Sequence, residues 1–285
     1  MYTFMRLLGT VAGMAVAIGL ALTLVALALA THVVAAIFIT AAISIAPVAV
    51  SYLIATKNRQ DNVGEFFKGV MSGLNGGLNA IIVVAMFMPV PHKNMSTFFK
   101  ALEHWVQGPG VIAVVVGAHL ILLSLLSVFH PVSGSAPFQA ILAYSSWIMP
   151  MSWLVTAVGF IFFLLNLLVA GVTGNQIDAI KIRSIGFHGG TGSILTDGGL
   201  IHPMGGSGGF DMGNFVFLNG DADDLKAHET GHTLNLAAFG FVFHYIGAMD
   251  ENVFGGGGDA YSERLADSHI PGNTSSAEPL NMWQS

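Results

Sequence analysis

The stretch Lys226-Ala227-His228-Glu229-Thr230-Gly231-His232-Thr233-Leu234 carries the pattern His-Glu-x-x-His. On a helix, residues four apart share a face, so His228 and His232 can offer both imidazoles to one metal ion. Glu229 sits one residue round, beside the coordination position left open, where a carboxylate can take a proton from a bound water. Just upstream, Asp221-Ala222-Asp223-Asp224 places acids where they are predicted to cap such a helix and meet its dipole. The helix is predicted to continue through Leu234, Ala237, Ala238, Phe241 and Val242, an apolar face that buries it.

Two histidines need a third protein ligand. Further on, Tyr261-Ser262-Glu263-Arg264-Leu265-Ala266-Asp267 sets Glu263 and Asp267 four apart on one face of a second predicted helix. Glu263 would complete a His₂Glu set for Zn2+, leaving Asp267 to accept the other ring N–H of a ligand histidine. Asp250, Glu251, Asp259, Asp267 and His269 are the rival third ligands. Tyr261, His244 and His269 are candidate donors to an oxyanion, and the sequence does not choose among them.

His228-Glu229-x-x-His232 followed by Glu263-x-x-x-Asp267 resembles the gluzincin zinc metallopeptidases, and within them the integral-membrane members of the HtpX and CAAX-prenyl-endopeptidase type. The likeness covers residues 225–270. It implies a membrane α-helical bundle followed by a small α+β zincin-like catalytic domain. The implied activity is zinc-dependent hydrolysis of peptide bonds in peptides or membrane proteins, with Glu229 as the base that returns its proton to the leaving amine. The resemblance also implies a strand edge beside the metal helix that binds extended substrate. Asn214, Phe215, Val216, Phe217 and Leu218 are the candidate for it, with an ordinary core strand as the alternative. Asn235 and Ala238 stand where the extended metzincin pattern has glycine and a third histidine, so that branch is excluded. In the HtpX-like branch spans also follow the metal helix, whereas all the clear ones here precede it. Two other classes fit the residues: an inactive, metal-stabilised membrane scaffold or partner-binding subunit, and a transporter or channel with a metal-sensing tail.

Composition frames the rest. Hydrophobic residues make up 53% of the 285 and charged residues 9%, against about 25% charged in soluble domains. Residues 1–170 carry only Asp61, Glu65 and Glu103 as acids, and residues 7–56 have no Asp, Glu, Lys or Arg. No basic tract suits a nucleic acid, and there is no cysteine to form disulfides, thiolate ligands or a nucleophile.

Five membrane spans are expected, near residues 7–30, 32–56, 70–90, 111–129 and 150–171, each close to the ~20 apolar residues that cross a bilayer. The fifth is drawn as reaching back to Gln139 through a kink at Pro150. Ala28-Leu29-Ala30 resembles a signal-peptidase site, but the apolar run before it is long, so a retained span is expected. Residues 91–110 read as an amphipathic helix lying in the membrane interface. Asn75 and Asn79 are expected to bond between helices, and His119 to be a neutral group inside the fourth span. Basic residues near the first hairpin favour an inside N-terminus, which places the catalytic domain on the non-cytoplasmic face.

The expected domains are thus 1–171 (transmembrane), 172–270 (catalytic) and 271–285 (a flexible tail). Residues 172–220 read as a small antiparallel sheet, with strands at 179–185, 193–195, 200–202 and 214–218. Asp197-Gly198-Gly199 marks a hairpin turn and 205–209 a flexible glycine loop. Residues 250–259 are a candidate lid over the cleft.

Overall fold

A computed structural model describes residues 1–30, 33–58, 61–89, 95–204 and 208–270. The expected tail at 271–285 and most of the loop at 205–209 lie outside the described residues. The chain forms two compact units, the first Met1–Val128 and the second beginning at Phe129.

The first unit is helical: α1 (Tyr2–Ala30), α2 (Val33–Lys57), α3 (Asn62–Phe87), α4 (Met95–Gln107) and α5 (Pro109–Leu126). α1 and α3 run parallel and touch backbone to backbone. Gly9 and Gly13 lie against the carbonyls of Phe66 and Val70, and Gly69 and Gly73 against those of Arg6 and Thr10. A Cβ at any of the four would overlap the opposing backbone, so small residues are what permit this packing. α3 begins well before its apolar run because Asp61 caps it, accepting from the Val63 and Gly64 N–H groups at 2.8 Å each. Glu65 and Lys68, whose charges make this stretch read as solvent-exposed, are buried with Arg6. Arg6 Nε donates to Glu65 at 2.7 Å and Lys68 Nζ at 2.6 Å. Pairing of this kind is what makes buried charge tolerable. Asn79 Nδ2 donates to the carbonyl and the side-chain oxygen of Asn75 at 2.9 Å, both within α3. Ser124 Oγ donates to the Ser72 carbonyl at 3.2 Å, joining α5 to α3.

The second unit opens with α6 (His130–Ser133), α7 (Ala136–Ser145) and a 3-10 turn (Ser146–Ile148), then α8 (Pro150–Thr173). The expected backward extension of the fifth span is corrected here. Met149 is extended (φ −84, ψ 111), and Pro150 starts α8 instead of kinking a longer helix. Five helices, at Tyr2–Ala28, Phe38–Lys57, Asn62–Phe87, Pro109–Leu126 and Pro150–Thr173, are long and apolar enough to cross a membrane. They point to a membrane protein.

Four strands follow α8: β1 (Ile182–His188), β2 (Ser193–Gly198), β3 (Gly209–Met212) and β4 (Phe215–Leu218), in the order β1-β2-β4-β3. β1/β2 and β3/β4 are antiparallel, but β2 and β4 are parallel, so the sheet is mixed. The expected hairpin at 197–199 does not form. Gly198 and Gly199 take positive φ at the end of β2, and 200–202 belong to a 3-10 helix (Gly199–Met204). That passage carries the chain across to β3 and β4. β3 itself grows from the end of the glycine-rich stretch.

α8 lies along one face of this sheet, which explains why it belongs to the second unit. The Phe162 ring meets Phe217 with centroids 4.7 Å apart and Phe163 meets Phe215 at 5.5 Å. Asn166 Oδ1 accepts the Leu200 N–H at 2.8 Å. The opposite face exposes Leu154, Ile161, Leu164, Leu168 and Val172. One side of this span-length helix is therefore apolar and uncovered, and the other is docked on β-structure. The unit ends with α9 (Asp223–Asn252) and α10 (Tyr261–Asp267).

Candidate metal centre

α9 starts beside β4 with Ala222 as its N-cap and no side-chain cap bond. The upstream acids are thus not caps. Asp223 and Asp224 occupy the first turn, where their charge complements the positive end of the helix dipole, and Lys226 Nζ pairs with Asp221 at 2.5 Å. Gly240 (φ 81, ψ 176) breaks the helix, so His244, Tyr245, Ala248 and Glu251 beyond it line the same cleft as His228 and His232. The cleft measures about 720 Å³.

α10 packs on α9 at two glycines. A Cβ on Gly231 would meet the backbone of Ala266 and the ring of His269, and one on Gly247 would meet the Ser262 hydroxyl. This close approach brings Glu263 to the histidines. His228 Nε2 lies 3.2 Å from Glu263 Oε2, His232 Nε2 lies 3.4 Å from Glu263 Oε1, and the two Nε2 atoms are 3.3 Å apart. Donors about 2.0–2.1 Å from one tetrahedral ion stand about 3.3 Å from each other. The three groups therefore have the spacing of a metal site, and His228, His232 and Glu263 could hold a metal ion. Asp267 Oδ1 accepts the His228 Nδ1–H at 2.8 Å, which turns the Nε2 lone pair toward the centre.

The electrostatics favour positive charge at this point. Burial opposes a proton on His232, but the Glu263 hydrogen bond and charge outweigh it and raise the pKa to about 9. His228 is raised against burial in the same way. Burial likewise opposes ionisation of Glu263, yet its bonds to the two histidines hold it far below the usual carboxylate range. Glu229 is 4% exposed, and burial pushes its carboxyl up despite the neighbouring histidines. Its Oε1 lies against Gly209 of β3, where a Cβ would come within 2.8 Å.

The structure brings His228, Glu229, His232, Glu263 and Asp267 together. It does not gather the three candidate oxyanion donors. Only His244 lines the cleft, with Nδ1 3.6 Å from Asp211 Oδ1, and burial lowers it to about 4, so it is neutral. Tyr261 packs on Phe243 and His269 against Gly231, both outside the cleft lining. The expected substrate strand is also corrected. β4 is paired on both sides, and Phe215, Val216, Phe217 and Leu218 are buried, so it has no edge to offer. Asn214 is buried too, its Nδ2 donating to Ser146 Oγ at 2.6 Å. Among the described strands, the one at the sheet margin beside Glu229 is β3. Among the candidate lid residues only Glu251 and Asn252 line the cleft. The loop that follows is tied back by Asp250, whose carbonyl accepts the Gly256 N–H at 2.9 Å.

Asp211 is the site residue that sequence reasoning missed. Thr233, next to His232, donates to Asp211 Oδ2 at 2.9 Å and lies 3.2 Å from Ser193 Oγ, tying α9 to β3 and β2. Burial raises the Asp211 carboxyl to about 8. No family model, curated protein or solved structure matches this chain.

Proposed function

We propose that this protein is a membrane-embedded zinc metallopeptidase, an endopeptidase acting on membrane-associated or membrane-proximal substrates. The observation that carries this reading is the trio of donors at tetrahedral spacing with Glu229 buried beside it. Imidazole and carboxylate donors in a His₂Glu set suit zinc. Zinc held there would supply a Lewis acid and an acidified water.

The chain's own residues do the rest. Asp267 fixes the His228 ring. Glu229, its carboxyl pushed up by burial, accepts the proton of the attacking water and returns it to the leaving amine. His244 is the neutral donor within the cleft that can meet the developing oxyanion. The β3 edge can pair with an extended substrate segment, which lays its backbone across the cleft beside Glu229. α8 supports a substrate at membrane level, because a span-length helix with one uncovered apolar face forms part of the cleft wall through Val155 and Val158.

The test is hydrolysis of quenched-fluorescent peptides by the purified protein in detergent. Glu229→Gln should keep stoichiometric zinc and lose hydrolysis, because both imidazoles remain and the base is gone. Full activity in that variant would refute the mechanism.

A further inference from the structure

One helical turn after His232, the cleft wall holds polar atoms that the proposed chemistry does not use. Asn235 is 2% exposed and Ser262, just before Glu263, is 4% exposed. Both line the cleft. Asn235 Nδ2 donates to the Ser262 carbonyl at 3.3 Å. The Asn235 side-chain oxygen and the Ser262 hydroxyl have no hydrogen-bond partner among the described residues. The pair is held in place by that one bond and by Gly247, which alone leaves room for the Ser262 hydroxyl against α9. A buried polar atom without a partner destabilises a fold, whereas an apolar replacement of similar shape does not. Kept at that cost beside a metal site, such atoms point to a partner that arrives with the substrate.

Building on the endopeptidase reading, we propose that Asn235 and Ser262 form a subsite that hydrogen-bonds a neutral amide of the substrate next to the scissile bond. The wall selects that class. The Asn235 oxygen accepts and the hydroxyl donates or accepts, so together they complement an amide N–H and C=O. Glu251 and Glu263 line the cleft and none of the described lining residues is Lys or Arg, which disfavours an acidic group. The amide is either the adjoining backbone peptide unit or an Asn or Gln side chain.

The experiment uses full-length protein in detergent with Asn235→Leu or Ser262→Ala, following thermal unfolding and zinc content. Binding of fluorescein-labelled short peptides is measured in the same variants on a Glu229→Gln background. Each peptide is made with and without N-methylation beside the central bond, and with Gln or Leu at that position. Both variants should keep their zinc and bind peptide about tenfold or more weakly, and Ser262→Ala, which breaks no hydrogen bond, should unfold at the same or a higher temperature. N-methylation reproduces that loss in otherwise unchanged protein if the backbone is read; Gln-to-Leu replacement does so if the side chain is read. Ser262→Ala, the smaller change, decides the matter if Asn235→Leu does not fold. Unchanged affinity in both variants overturns the subsite, as does failure of the Glu229→Gln protein to bind any peptide. Peptides bound through Asn235 and Ser262 but never cut by unmodified protein would uphold the subsite and refute the peptidase reading.

Discussion

At the residue scale, Glu263 and Asp267 have different tasks because one faces both histidines and the other meets the far nitrogen of His228. Asp267→Asn should weaken zinc binding or activity by ~10–100-fold, the range for groups that orient a ligand. Glu263→Ala, which removes a donor, should cost far more, and competition against a chromogenic chelator would measure both. Equal losses would argue against Glu263 as the third ligand. Protons compete with the metal here. In metal-free protein the raised His232 contributes stability below its unfolded pKa of about 6.5 and loses it as pH rises through about 9. The lowered Glu263 contributes above its unfolded value of about 4.3 and loses that as pH falls. The site's contribution to metal-free stability should therefore be greatest between about pH 5 and 6.5. Zinc affinity should rise with pH up to about 9, with proton release that calorimetry in buffers of different ionisation heat would count. A pH-independent affinity would contradict the assignment.

At the element scale, the decisive contact is α10 on α9. Gly231 faces the Ala266 backbone and the His269 ring, so Gly231→Val should push α10 away and empty the site without touching a ligand. Zinc retention in that variant, measured by atomic absorption, would show that α10 does not supply a ligand. In the first unit, Glu65→Gln would remove the carboxylate charge that pairs with buried Arg6 and Lys68. A loss on the order of 3–5 kcal/mol is expected, readable as a lowered unfolding temperature in detergent.

The same elements show what could be read from the sequence. His228, His232, Glu263 and Asp267 were legible because four-residue spacing on a helix is a local property, and so were the span-length helices. The start of α3 was not, because Glu65 and Lys68 look solvent-seeking until Arg6 of another helix is placed beside them. β3, the parallel pairing of β2 with β4, and the place of Asp211 all depend on partners distant in the chain. Glycine-rich sequence at 208–209 gives no periodic signal for them. Gly231 and Gly247 could have been noticed, since glycine within a helix costs stability unless something packs against it.

At the scale of the whole molecule, metal and membrane should be separable. The helices of the first unit are held by their own glycine contacts and buried charges, and the three candidate ligands all come from the second unit. His228→Ala or His232→Ala should therefore lose zinc while the protein stays resistant to carbonate extraction from membranes. Release of either variant into the soluble fraction would show that the metal holds the whole chain together.

The most direct test of the account is zinc-edge X-ray absorption on the purified protein. It should show one zinc per chain with two imidazole nitrogens and carboxylate oxygen at about 2.0–2.2 Å, and loss of that shell in His232→Ala. A protein that retains no zinc at neutral pH, or whose zinc shows no histidine scattering, would contradict it.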